Sequence, residues 1–301
     1  MRATNLIACL ALFAAAVSVP SLATAVPQSS PPAVPLATAS KSPASANRIQ
    51  APPALHLRLG LDSVACGISL PAGGPPKRGK AGLIIWLHGG MRSQNREKGF
   101  EAHRGWLDYI PPRRYYVCSP SAYTGAEWPT PQGLAHIEFL IDYMLKNYPI
   151  DPGDVNMVGV SDGSLGVVSY SLQGSRPLRH RVLISSVPQL VLPMESLPGQ
   201  VRFTQGTWDF VQGGKDRLFP ADQVFPYLSQ FQSLYPNAHV HAFPEGEHDF
   251  SWYAEHAPDL LRTFFEATRT QGKASATEKG ASPAKPVLGP GLDQKPAQNQ
   301  K

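Results

Sequence analysis

The sequence predicts an α/β domain: a mostly parallel, eight-stranded sheet with helices on both faces and no large cap domain. Three observations carry this. Continuous apolar runs of strand length alternate with longer stretches of helical periodicity. The strongest runs, such as Leu83–Leu87 and Val155–Val160, lack the in–out alternation of a half-solvated strand, so both faces are expected to be covered. The chain holds 301 residues, enough for one large core without disulfides or metals.

The elements follow in order. Ala54–Leu61 and Ser63–Leu70 are expected as two opening strands, then Leu83–Leu87, Tyr115–Ser119, Val155–Val160 and Arg181–Ser185. Asp209–Gln212 and His239–Phe243 complete the sheet. Leu134, Ile137, Ile141, Met144, Leu145 and Tyr148 recur at helical spacing across Gln132–Tyr148. Ser164–Leu172 can form a helix. Val224, Tyr227, Leu228, Phe231 and Leu234 repeat the helical pattern, and Leu260, Leu261, Phe264 and Phe265 mark a last helix. Asp151-Pro152 ends the first of these helices. In open α/β sheets, sites form beyond the carboxyl ends of the strands, so the chemistry is expected there.

The flanks read differently. Residues 1–25 have the pattern of a secretory signal peptide: Arg2, an apolar run from Leu6 to Val19 that is short for a bilayer span, and Ala23-Thr24-Ala25 as a cleavage site. An uncleaved anchor and a lipoprotein box at Leu6-Ile7-Ala8-Cys9 are the rival readings. The expectation is a secreted or periplasmic protein with no stable membrane insertion after cleavage. Residues 26–53 hold seven prolines among Ala and Ser and read as a disordered linker. Residues 272–301 are rich in Lys, Ala, Pro and Gln, lack aromatic residues, and read as a disordered tail. The catalytic domain is then 54–271.

Charge location decides the partner class. The formal net charge is +5, but the flanks together carry +6 and residues 51–271 carry −1. A near-neutral domain argues against nucleic acid as a partner. Past the cleavage site two cysteines remain, Cys66 and Cys118, both in expected strands. An oxidising compartment permits a bridge, and two buried residues that never meet are the plain alternative.

The sharpest motif is Gly159-Val160-Ser161-Asp162-Gly163, between an expected strand and an expected helix. This is G-x-S-x-G in the context it requires. Only small neighbours fit around a serine held on so tight a turn, and the N–H groups opening the helix favour negative charge beside it. Ser161 is therefore the candidate nucleophile. His88-Gly89-Gly90 follows another buried strand. An oxyanion needs N–H donors aimed at it, and Gly90 or Met91, with Asp162, is expected to supply them. His88 is expected to hold the loop by hydrogen bonding.

Serine needs a base to react at neutral pH. His248, in Pro244-Glu245-Gly246-Glu247-His248-Asp249, lies in a loop after the last strand. His239, His241 and His256 are the rivals, placed within the strand or the helix region. A carboxylate must orient the base. Asp216 follows a strand on a Gly-rich turn, with Asp222 and Asp209 as alternatives. No spacing matches a metal-ligand set, and no cofactor is expected. Tyr123, Trp128, Trp208 and Phe250 could line an acyl pocket, with core packing the equal alternative. Residues 187–201, interrupted by three prolines and Gly199, could form a short lid or only a connection.

On Leu87-His88-Gly89-Gly90, Ser119-Pro120, the Ser161 turn, the Gly-Gly-x-Asp turn and the late histidine, residues 54–271 resemble the α/β-hydrolase superfamily. Within it they are similar to secreted esterases related to polyhydroxybutyrate depolymerases, feruloyl esterases and the phospholipase/carboxylesterase group. The resemblance implies a serine esterase acting on a small-molecule ester, with a serine peptidase or amidase, or a binding protein with a relic triad, as alternatives. It also implies strand order 1-2-4-3-5-6-7-8 with the second strand antiparallel. That order places Cys66 beside Cys118. Gly-Gly-Met-Arg after His88 departs from the longer glycine run of some relatives.

Overall fold

A computed structural model describes residues 55–59, 62–71, 74–102 and 114–266. The expected signal peptide, linker and tail lie outside the described residues. Eight strands form one sheet: β1 (Leu55–Leu59), β2 (Asp62–Ser69), β3 (Ala81–Leu87), β4 (Tyr115–Pro120), β5 (Ile150–Val160), β6 (His180–Ile184), β7 (Thr207–Gly213) and β8 (Ala238–Phe243). Their order is β1-β2-β4-β3-β5-β6-β7-β8. β2 pairs antiparallel with both β1 and β4, and every later pairing is parallel. Count, order and direction match the expectation.

Six helices are described: α1 (Lys98–Ala102), α2 (Pro131–Asn147), α3 (Asp162–Gln173), α4 (Ala221–Leu234), α5 (Phe250–His256) and α6 (Pro258–Glu266). α2 begins where Thr130 accepts a hydrogen bond from the Gly133 N–H, with Pro131 in the first turn, where its missing N–H costs nothing. α5 is capped the same way by Asp249, which accepts from the Ser251 N–H. α1 and α5 were not foreseen, because five and seven residues are too few for a helical period to show.

β3 is buried along its whole length, which explains its unbroken apolar run. Leu83, Ile85 and Leu87 face a core built with α2, α3 and α4; Ile84 and Trp86 face a second core closed by Tyr253, Leu261 and Phe264 of α5 and α6. Successive strand residues thus serve opposite layers. Phe231 of α4 sits at the centre of the larger core, with ring centroids 5.0 Å from Phe210, 5.1 Å from Trp208 and 4.8 Å from Tyr235.

Residues 187–201 run through short 3₁₀ turns at Pro188–Leu190 and Met194–Ser196, and a third follows at Val201–Thr204. Leu192 and Leu197 anchor the segment in the core, and the Tyr235 hydroxyl donates to the Leu197 carbonyl. The prolines keep it from forming one longer helix.

The two cysteines meet inside the sheet. Cys66 lies opposite Pro120 and Cys118 opposite Ile68, so they are diagonal neighbours. Both are free and buried, with sulfurs 2.8 Å apart. Burial, then the neighbouring thiol, pushes the Cys66 thiol well above its ordinary value.

Truncating Phe231 empties the middle of the aromatic cluster. Phe231→Ala is expected to cost about 3–5 kcal/mol of stability, read as a lower urea midpoint at unchanged slope. An unchanged midpoint contradicts the packing described.

Candidate active site

Ser161 stands between the end of β5 and the start of α3 with φ 52° and ψ −123°. A side chain in that region stores roughly 1–3 kcal/mol of backbone strain, so the surroundings must hold it there. They do. Its N–H donates to the Ile184 carbonyl at 2.9 Å, and its carbonyl accepts from both the N–H and the hydroxyl of Ser164. The flanking glycines are forced by crowding. A Cβ on Gly159 would lie 2.5 Å from the Gly163 backbone, and one on Gly163 only 2.0 Å from the Leu87 carbonyl oxygen.

Two loops carry the partners. The turn after β7 and the turn after β8 are knitted by backbone bonds: Gly214 N–H to Phe243, Lys215 N–H to Gly246 and Gly246 N–H to Phe243 carbonyls. This brings Asp216 and His248 together across 32 residues. His248 Nδ1 lies 2.9 and 3.0 Å from the two Asp216 oxygens, and His248 Nε2 lies 2.8 Å from Ser161 Oγ. Asp216 can only accept, so Nδ1 carries the proton. Nε2 is then the acceptor facing the serine hydroxyl.

Asp216 is buried and fully engaged. Oδ1 also accepts from the Leu218 and Phe219 N–H groups at 3.0 and 2.8 Å, and Oδ2 from Gln212 Nε2 at 3.2 Å. Burial opposes ionisation, but the bonds from His248 and the two N–H groups outweigh it. The carboxyl is held below the usual carboxylate range. Gln212 in turn accepts from the Ser186 N–H, and the Phe219 ring meets the His248 ring edge-on at 4.8 Å. Sequence reasoning missed both Gln212 and Phe219. Their only signal was position, one at a strand end and one three residues past Asp216.

His88 holds the facing loop. Burial, with a smaller push from the Lys98 charge, lowers its pKa to about 4 against the opposing bond to the Gly89 carbonyl. The neutral ring donates from Nδ1 to that carbonyl (2.8 Å) and accepts at Nε2 from the Ala122 N–H (3.0 Å), while Trp128 Nε1 donates to the His88 carbonyl (2.9 Å). The Gly89 backbone comes so close that a Cβ there would lie 3.0 Å from Ser161 Cβ. Gly90 follows with φ +64°, a conformation that favours glycine. Gly90 and Asp162 line the same cleft as Ser161. Met91 is buried, and its N–H donates to Asp162 Oδ2 at 3.2 Å.

The cleft has a volume of about 830 Å³. Ser161 and His248 line it with Gly89 and Gly90, and Trp86, Leu218, Phe219 and Phe250 add apolar surface. Of the four aromatics considered from sequence, only Phe250 reaches it. Trp128 packs on His88, Trp208 stacks on Phe210, and Tyr123 lies under the Arg96 guanidinium. Being near a strand end does not fix which face a ring takes. None of residues 187–201 lines the cleft. The rival base His241 and the rival acid Asp209 pair with each other at 2.6 Å, and Asp209 also binds buried His180. His256 bonds its own helix at the Trp252 carbonyl. Asp222 sits in the first turn of α4. Among the described residues no group of three His, Cys, Asp or Glu could hold a metal ion, and no helix is long and apolar enough to cross a membrane.

Neither a protein-family model nor a curated protein sequence matches this chain. Solved structures match its shape. A thermostable esterase superposes with a TM-score of 0.52 at 14% identity, covering 75% of this chain and 62% of its own. The acylaminoacyl peptidase of Pyrococcus horikoshii gives 0.52 at 12% identity, covering 71% of this chain and 40% of its own. Est1E from Butyrivibrio proteoclasticus gives 0.53 at 15% identity, covering 72% of this chain and 99% of its own. The chain therefore spans less than two thirds of the first two proteins and nearly all of the third. With the sheet order and the strained turn at Ser161, these likenesses establish the α/β-hydrolase fold.

The Asp216 geometry has a pH signature. A carboxyl whose folded pKa is depressed stabilises the fold above its unfolded value, near 4, and loses that contribution as pH falls through the folded one. The stability difference between wild type and Asp216→Asn is expected to be full at neutral pH and to shrink below about pH 4 in denaturant titrations. A difference that stays constant down to pH 2 contradicts the ionised, hydrogen-bonded assignment.

Proposed function

We propose that the protein is a serine hydrolase that cleaves carboxylic esters through an acyl-enzyme on Ser161. The observation that carries this is the unbroken hydrogen-bond chain from Ser161 Oγ through His248 to Asp216, with Ser161 and His248 lining an open cleft. In the proposed reaction, Ser161 Oγ attacks the ester carbonyl carbon while His248 Nε2 takes its proton. Asp216 steadies the resulting imidazolium and keeps Nε2 aimed at the serine. The carbonyl oxygen becomes an oxyanion, held by the N–H groups of Asp162 and Gly90. The Met91 N–H already serves the Asp162 carboxylate, which favours Gly90 over Met91 as the second donor. The tetrahedral intermediate collapses, and His248 gives its proton to the leaving alcohol. Water, deprotonated by His248, then releases the acid and frees Ser161.

The neighbouring peptidase fold keeps an amidase reading open. The apolar cleft walls and the absence, among the described residues, of a domain that gates a peptide favour the ester. The apolar run of residues 6–19 and the Ala23-Thr24-Ala25 site support export, so we place the enzyme outside the cytoplasm.

Ser161→Ala is expected to lower hydrolysis of p-nitrophenyl acetate by roughly 10⁴–10⁶-fold and to abolish labelling by a fluorophosphonate probe. Asp216→Asn is expected to lower kcat by about 10⁴-fold while labelling slows in parallel. Retained turnover in Ser161→Ala removes the proposal; faster cleavage of matched anilides than of esters turns it to the amidase.

A further inference from the structure

The cleft lining is divided in character. One part is the apolar surface of Leu218, Phe219 and Phe250; another is the Gly89–Gly90 turn, beside which Lys98 enters the lining from α1. The charged groups of the cleft differ in how they are satisfied. The Asp162 carboxylate accepts from the Met91 N–H, and Asp249 caps α5 at the Ser251 N–H. His88 is neutral above about pH 4. Lys98, although half-buried, donates only one long bond, 3.4 Å, to the Gly90 carbonyl. Among the described residues no carboxylate pairs with it. Cations nearby do better: Arg92 reaches Glu127 at 4.0 Å, and Arg96 lies 4.0 Å above the Tyr123 ring.

An ammonium at the cleft edge with one weak acceptor and no paired carboxylate among the described residues has unspent capacity for an anion. Its place relative to the nucleophile is bounded. A Cβ on Gly90 would lie 2.5 Å from Lys98 Nζ, and one on Gly89 would lie 3.6 Å from Ser161 Oγ. Adjacent residues are about 3.8 Å apart at Cα, so, with the two Cα–Cβ bonds of about 1.5 Å, ammonium and hydroxyl lie within roughly 13 Å. With about 3 Å taken up at each end by the attack and by the ion pair, at most roughly 7 Å is left between reacting carbon and carboxylate, enough for a short acyl chain or one substituted aromatic ring. We propose that Lys98 is a specificity residue that selects esters carrying a carboxylate, with the apolar part of the substrate against Phe219 and Phe250. This rests on the ester-hydrolase reading of the same cleft and adds the substrate class to it.

The test compares matched anionic and neutral esters in two arms. Mono-p-nitrophenyl succinate against p-nitrophenyl butyrate places the carboxylate on the acyl side. 4-Acetoxybenzoate against phenyl acetate places it on the alcohol side. The readout is the anionic-to-neutral ratio of kcat/KM within each enzyme, which a general loss of loop order does not change. Wild type is expected to favour the anion by about 5–20-fold over Lys98→Met on one arm, with Lys98→Arg restoring the ratio and added salt shrinking it. The arm that responds assigns the side. Equilibrium binding of the same pairs to Ser161→Ala, with and without Lys98→Met, gives a readout independent of turnover. A Lys98-dependent preference in binding with no hydrolysis by wild type removes the esterase reading and keeps the inference. Ratios unchanged by Lys98→Met on both arms, in kinetics and in binding, overturn it.

Discussion

The hydrogen bond between Ser161 Oγ and His248 Nε2 joins residues 87 positions apart, and much of the fold can be understood as what keeps it at 2.8 Å. Each end is fixed by a different device. The serine is fixed by strain: a backbone at φ 52°, crowded by Gly159 and Gly163, has no freedom to relax. The histidine is fixed by a buried carboxylate, which is itself fixed by two N–H groups and Gln212. Only a rigid parallel sheet brings both devices to one edge, because the turns after β5, β7 and β8 all leave from the carboxyl ends of its strands.

Electrostatics divide labour among the histidines. His88 is buried, neutral and saturated, and its role is to hold the Gly89–Gly90 turn beside the serine. His248 is partly exposed, faces the serine through an acceptor nitrogen, and has an anion behind it. His180 and His241 share Asp209, whose carboxyl they hold down to about 2 despite burial, and they pack against Phe264 of α6. A second His–Asp cluster thus exists in the same sheet, away from the strained turn that carries Ser161. Chemistry follows the position of the turn, not the residue types alone.

What was legible in the sequence were the features with strong local causes. An unbroken apolar run marked β3, and a run interrupted only by Asn156 and Gly159 marked residues 155–160 of β5, because both faces of those stretches are covered. The glycines around Ser161 were legible because only glycine fits such an approach of strand and helix. Asp216 and His248 could be chosen over Asp209 and His241 because they lie past strand ends, in turns, while the rivals lie within strands. The rest depended on tertiary contact. Gln212, Phe219 and Lys98 line or brace the site from a strand end, a turn and a short helix that meet only in the assembled fold. Trp128 and Tyr123 turned inward under contacts no short window reveals.

The central claim is that one hydroxyl becomes covalently acylated. Mass spectrometry of the enzyme quenched during turnover of p-nitrophenyl acetate tests it most directly. The account predicts one added acetyl group, mapped to the peptide containing Ser161 and lost in Ser161→Ala. An acetyl group carried at another residue with turnover intact, or turnover with no adduct under conditions where release is slow, contradicts it.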